Sequence, residues 1–179
     1  MVLQRLKKRV VAAMVWVDGH GPVNACGMVV GEAPGLAEVE SGVPFVGPGG
    51  QLFDAALLSL GVQRERLYLT NVVKSFPSDA AGGPRTPTHE EIRSWAPELL
   101  DEIQRYSGVP ILALGRVASV TLAGRWLPGR CARGSVFVAW HPTYVLHRRS
   151  HWQDWLGQLA EWSRRVVSLS TDAKRKDGI

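Results

Sequence analysis

The stretch "VVGEAPGLAEVESGVPFVGPGG" (residues 29–50) decides the fold. Its β-branched start runs into Gly31, Glu32, Ala33, Pro34 and Gly35, and the chain then carries Glu38, Glu40 and a single ring, Phe45, before the closing Gly49-Gly50 pair. Ordinary turns are shorter, so a segment this rich in glycine and acid is built to hold something. Directly after it, "QLFDAALLSLG" (51–61) places leucines and Phe53 at helical spacing and stops at Gly61. A strand, a glycine-rich loop and a helix make one βα unit.

Working outward, four near-continuous apolar runs read as strands: Gly27 to Val30, Leu67 to Leu69, Ile111 to Leu114 and Val136 to Trp140. Such runs suit parallel strands covered on both faces. Helical patterns separate them. "PTHEEIRSWAPELLDEIQRY" (87–106) reads as one helix capped by Thr88, "GRVASVTLAG" as a short helix ending at Gly124, and "SHWQDWLGQLAEWSRRVV" as a helix with Trp152, Trp155, Leu159 and Trp162 on one face. That stripe is core packing rather than a base-stacking platform. The alternation predicts an α/β fold, a three-layer α/β/α domain around a mainly parallel four-stranded central sheet. It spans residues 1–168, and 169–179 reads as a flexible basic tail. "FPSDAAGGPRTP" (76–87) is a loop by composition, and "LQRLKKRVVAAMVWV" at the start reads as an amphipathic helix.

With 179 residues, 45% of them hydrophobic, the chain can build one core. No apolar run is long enough to span a membrane and no cleavable leader is apparent, so a cytoplasmic, soluble protein is expected. Cys26 and Cys131 are the only cysteines and make neither a disulfide framework nor a closed metal site. Charge is uneven: four Lys/Arg face one acid over 1–20, seven face eleven over 21–122, and ten face four over 123–179. A basic C-terminal third beside an acidic middle suits a face laid on a polyanion, although a solvated basic helix explains it too.

Ligands of an open parallel sheet bind beyond the carboxyl ends of its strands. The residues that follow the four strands are Glu32, Asn71, Gly115 and His141 with Pro142. A carboxylate, an amide and an imidazole thus meet at one edge, with Phe45 within reach. Asn offers a donor and an acceptor that match the imide edge of a pyrimidine. A ring stacks, and His donates to an oxygen where negative charge develops. Singly each residue has a plainer explanation: a solvated Glu, a turn Asn, a His-Pro bend. Together they suit N-glycosidic bond cleavage, in which the sugar turns cationic and the base leaves as an anion.

"GEAPGLAEVESGVPFVGPGG", "LTNVVKSFP", "RTPTHEEI", "ILALGRVA", Arg133-Gly134 and "HPTYVLHR" stand in the order and spacing of the family 4 uracil-DNA glycosylases, which the chain resembles from about Met28 to Arg148. The resemblance implies a hydrolase that flips uracil out of DNA for base excision repair. Glu32 would position water or face the sugar cation, and His141 would stabilise the leaving base. Ala33, Glu38, Phe45 and Asn71 would touch the base, Phe45 by stacking and Glu38 near C5. Pro142, Thr143, Tyr144, Leu146 and Arg148 would meet the DNA, with Tyr144, Val145 or Leu146 as a wedge. The implied partner is uracil-containing DNA, bound by a monomer. Family 4 enzymes hold an iron–sulfur cluster on four cysteines. Here the N-terminal segment has none, and Ser75 and Trp95 occupy two of the ligand positions, so no cofactor and no metal are expected. A relative retuned to another base or to a free nucleotide, and a DNA-binding protein without turnover, remain the alternatives.

Overall fold

The structure, a computed structural model, describes residues 16–125, 128, 131–133 and 135–176. Of the amphipathic helix expected over residues 3–17, residues 3–15 lie outside them, as does Gly134, while Trp16 and Val17 pair with the backbone at Ser75 and Lys74. In chain order the elements are β1 (Gly27–Gly31), α1 (Leu36–Ser41), α2 (Pro48–Ser59), β2 (Leu67–Asn71), α3 (His89–Ser94), α4 (Ala96–Arg105), β3 (Ile111–Leu114), α5 (Gly115–Ala123), β4 (Cys131–Arg133), β5 (Val136–Ala139), α6 (Pro142–Leu146) and α7 (Trp152–Lys176). Single 3-10 turns precede β2 at Arg64–Arg66 and α7 at Arg149–His151.

The strands order as β2-β1-β3-β5-β4. β2, β1, β3 and β5 are parallel, as the sequence predicts, and β4 adds a short antiparallel edge that the sequence reading left out. Three residues without an apolar run carry no strand signal. At the other edge His20 exchanges two backbone hydrogen bonds with Leu69, each 2.8 Å, so the segment 16–20 covers the outer side of β2. An edge paired in this way is protected from pairing with other chains.

Side chains alternate cleanly between the two faces. Val29, Leu67, Leu69, Leu112, Leu114, Phe137 and Ala139 pack against Phe53 and Leu57 of α2, Val145 of α6, and Trp155, Leu159 and Trp162 of α7. Met28, Val30, Tyr68, Ile111, Ala113 and Val138 pack against Leu99 of α4 and Ala118 and Ala123 of α5. The tryptophan stripe is core: Trp155 and Trp162 are fully buried, and their indole N–H groups donate to the carbonyls of Trp140 and Pro110 at 2.9 and 3.1 Å. Truncating either ring to alanine costs about 3–5 kcal/mol.

The helix expected over 87–106 is two. Pro97 has no N–H to give the Arg93 carbonyl, so α3 ends at Ser94, Trp95 turns the chain, and α4 restarts with Pro97 in its first turn, where proline is tolerated. The Thr88 cap forms as a full box: Thr88 Oγ1 accepts from Glu91 N–H at 3.2 Å while Glu91 accepts from Thr88 N–H at 2.7 Å. α7 continues to Lys176, so residues 169–176, which the sequence reads as part of a flexible tail, are helical. Among the described residues no helix is long and apolar enough to cross a membrane.

Candidate functional site

Chain order sends β1 to β2 on one side and leaves β3 on the other, so the sheet opens a crevice at the carboxyl ends of its central strands. A cleft of about 740 Å³ lies there. Glu32, Ala33, Glu38, Phe45, Asn71, His141, Thr143 and Tyr144 all line it, which brings together most of the residues singled out from the sequence. Pro142, Leu146 and Arg148 are not among its walls. Phe76, Pro84, Arg85 and Thr86 are, and sequence reasoning gave them no role. The loop that carries them is tied down. Asp79 Oδ1 accepts the amides of Ala81 and Gly83, both at 2.8 Å, and Arg85 forks onto both Glu91 oxygens at 2.7 Å.

Register places the first pair. Gly31 and Asn71 are partners across β1 and β2, so Glu32 and the Asn71 side chain leave the sheet side by side. Gly31 must be bare: a Cβ there would come 2.3 Å from Asn71 Oδ1 and 2.7 Å from Phe45 Cζ. Amide and ring therefore meet over the glycine. Asn71 is almost fully buried, yet among the described residues no protein group hydrogen-bonds its side-chain amide. The amide is open to the cleft that Asn71 lines, so its donor and acceptor are available there. The Glu32 carboxylate likewise has no hydrogen-bond partner among the described residues, and burial raises its pKa above the ordinary carboxylate value.

His141 follows β5 and caps α6. Its Nδ1 accepts the Thr143 N–H at 3.3 Å, which assigns the proton of the neutral ring to Nε2. Desolvation lowers its pKa to about 4, and the nearby Glu38 carboxylate offsets the fall only in part. Near neutral pH the ring is an uncharged donor. Gly115, at φ +88°, lets the chain turn beside it, since a Cβ there would lie 3.1 Å from His141 Cβ.

Phe45 sits at φ +58°, in the left-handed region, the only such residue other than glycine among those described. Glu38 fastens the loop around it. One carboxylate oxygen accepts Val46 N–H at 3.1 Å and Gly47 N–H at 2.7 Å, the other Gly35 N–H at 3.0 Å. Gly50 completes the fit, because a Cβ there would stand 2.0 Å from the Phe45 carbonyl oxygen.

The rim is α6. Val145, one of three residues offered as a wedge, is buried in the core and cannot reach a ligand, and Pro142 is buried in the first turn. Tyr144 is 39% exposed. Trp140 and His151 flank its ring at 5.4 and 5.9 Å, and the Arg148 guanidinium lies 4.4 Å over its face. Thr143 turns towards the start of α2, where a Cβ on Gly49 would meet its Oγ1 at 2.8 Å.

Among the described residues no group of three or more His, Cys, Asp or Glu side chains could hold a metal ion. Cys26 is buried, with its sulfur 3.2 Å from an Arg66 nitrogen. Ser75 bridges to Trp16, whose ring lies 6.4 Å from that of Trp95.

The sequence profile described as the uracil DNA glycosylase superfamily matches residues 19–162. The type-4 uracil-DNA glycosylase of Pyrobaculum aerophilum is 36% identical over 148 residues, which cover 74% of this chain and 74% of that protein. That of Thermotoga maritima is 35% identical over 149 residues, covering 75% and 73%. That of Archaeoglobus fulgidus is 38% identical over 104 residues, covering 58% and 50%. A match that spans both flanks of the cleft, from the segment that covers β2 to Trp162 of α7, leaves one conclusion: the chain belongs to the uracil DNA glycosylase superfamily.

Proposed function

We propose that this chain is a DNA glycosylase that hydrolyses the N-glycosidic bond of uracil in DNA, with a base flipped into the cleft, and so initiates base excision repair. The observation that carries the reading is the meeting of an unpartnered Asn71 amide, an unpartnered Glu32 carboxylate, a neutral His141 donor and the Phe45 ring in one crevice of a superfamily member.

In this reading the flipped uracil stacks on Phe45. Asn71 accepts from its N3–H and donates to O4, and His141 Nε2–H donates to O2. As the C1′–N1 bond breaks, its electron pair passes to N1 and spreads to O2, where the His141 proton stabilises it. The sugar becomes oxocarbenium-like, and the Glu32 carboxylate faces that charge and orients the water that adds to C1′. The water's proton leaves to Glu32 or solvent, giving free base and an abasic site. Glu38 has its two oxygens committed to three backbone amides, so it shapes the loop and limits the space near C5 rather than bonding the base. Phosphates of the strand meet Thr143, Arg148 and the start of α2, where the helix end favours anions, and Tyr144 is the wedge.

The chain works as a monomer without the iron–sulfur cluster that its resemblance to family 4 implies. Thiolates are what hold such a cluster, and where they are expected Ser75 and Trp95 stand, packed with Trp16. Purified protein should therefore lack the visible absorbance of a cluster while excising uracil at full rate; activity that tracks bound iron overturns this. The site roles are tested by Glu32→Gln, Asn71→Ala and Phe45→Ala in a uracil-release assay. Expected losses are roughly 10²–10⁴-fold for Glu32→Gln, with folding retained by circular dichroism. An unchanged rate for Glu32→Gln removes the assignment.

A further inference from the structure

Arg64 lies outside the cleft, on the 3-10 turn before β2, and no step above uses it. Its guanidinium reaches back along the chain to the Phe45 loop. Nη2 donates to the carbonyls of Pro44 at 2.9 Å and Phe45 at 3.1 Å, while Nη1 pairs with Asp54 of α2 at 2.5 Å. Glu38 holds the amides of Val46 and Gly47 on the other side. The peptide between Phe45 and Val46 is thus gripped at both ends, its oxygen by a cation and its N–H by a carboxylate. Charge-assisted bonds of this kind are stronger than neutral ones, and the planar fork fixes their geometry, with one nitrogen on both carbonyls and the other on the Asp54 carboxylate.

The grip matters because of the conformation it holds. A phenylalanine in the left-handed region is strained and stays there only where its surroundings over-determine it. Relaxing φ of Phe45 to the ordinary extended region would rotate the chain that carries the ring and turn this peptide, breaking both sets of bonds. The ring would then leave its place over Gly31 and beside Asn71.

We propose that Arg64, oriented by Asp54, is a positioning residue for base capture: it locks the Phe45–Val46 peptide and so keeps the Phe45 ring set to stack on the flipped base. This rests on the reading of Phe45 as the stacking residue. Stacking acts on the bound base before and during bond cleavage alike, so its loss shows as weaker binding rather than slower chemistry.

The test combines kinetics with hydrogen exchange on the full chain. Arg64→Ala should raise KM for uracil-containing DNA about tenfold with kcat within about threefold, and Arg64→Lys should recover only part of the loss. In a Phe45→Ala background Arg64→Ala should add no further loss, because it acts through that ring; independent, additive losses overturn the proposal. Amides of Val46 and Gly47 should exchange at least about tenfold faster in Arg64→Ala while those of β2 and α5 do not change. Unchanged loop exchange overturns the proposal as well. Asp54→Asn, a milder change at a half-exposed pair, should give the same pattern with a smaller amplitude and serves if Arg64→Ala does not fold. Failure of the functional reading shows separately: a wild type that releases no uracil overturns that reading and the positioning role with it, while exchange still decides whether the grip exists.

Discussion

Beneath Asn71 the sheet buries an ion pair, and breaking it on one side should cost far more than removing it whole. Lys74, 2% exposed, donates to Glu102 at 2.6 Å, to Thr70 Oγ1 at 2.5 Å and to the Asn71 carbonyl at 2.8 Å, which uses all three ammonium protons. Glu102 also accepts from the Tyr68 hydroxyl at 3.0 Å and from Thr70 at 2.9 Å. Burial lowers the Lys74 pKa in spite of Glu102, so desolvation outweighs what the partner returns. In linkage terms the folded pKa lies below the unfolded one. The charged lysine therefore lowers stability across neutral pH, and that penalty is relieved only as pH rises through the folded value.

Lys74→Met leaves the Glu102 carboxylate buried with two neutral donors and should cost about 3–5 kcal/mol. For a domain of this size that corresponds to a Tm lower by roughly 6–20 °C, at about 2–4 °C per kcal/mol. Glu102→Leu alone strands the ammonium and should cost a similar amount. The double variant Lys74→Met/Glu102→Leu removes both charges and leaves the Tyr68 and Thr70 hydroxyls short of an acceptor and the Asn71 carbonyl short of the Lys74 donor, at about 1 kcal/mol each. It should be more stable than either single variant. Urea denaturation with constant m-values reads the three directly. Additive losses in the double variant, or single losses below about 1 kcal/mol, would refute the reasoning.

Three further outcomes are expected. Gly31→Ala puts a methyl 2.3 Å from Asn71 Oδ1 and 2.7 Å from the Phe45 ring, so both buried side chains must shift; it should reduce uracil release at least about a hundredfold and cost about 1–3 kcal/mol of stability, read by kinetics beside a thermal melt. The pH–rate profile should fall on its acid side as Glu32 takes up a proton, with the limb above the ordinary value of 4.5, while His141, titrating at about 4, contributes no limb near neutrality. Glu32→Gln should raise Tm at pH 7 while it stops turnover, because a carboxylate whose folded pKa is raised lowers stability once ionised. The difference should vanish as pH falls below the ordinary carboxylate value.

The sheet was legible because each parallel strand is a short apolar run that ends on a chemically distinct residue. Glu32, Asn71 and His141 could be placed together from those endings alone, by the rule that such sheets bind ligands at their carboxyl ends. β4 has no comparable run, and the break at Trp95 depends on one proline inside an otherwise helical pattern. Phe45 is a different matter. Its ring could be named from the glycine-rich loop, but its left-handed backbone could not, since no local signal marks a phenylalanine for that region. The residues that enforce it, Glu38 and Arg64, act through backbone amides and carbonyls, and side-chain patterns do not display such contacts. Val145 shows the same limit from the other side: within "HPTYVLHR" it looks as available as Tyr144, and only the packing of α6 against the core buries it.

The measurement that bears most directly on uracil excision is product analysis on matched oligonucleotides, single- and double-stranded, each carrying one uracil, thymine, 5-hydroxymethyluracil, hypoxanthine or xanthine. Free base is identified by mass, and abasic sites are revealed by alkali, with Glu32→Gln as control. Expected is release of uracil with strand scission at that position, absent in the variant and absent for thymine. Intact uracil strands in the presence of folded wild-type protein would contradict it.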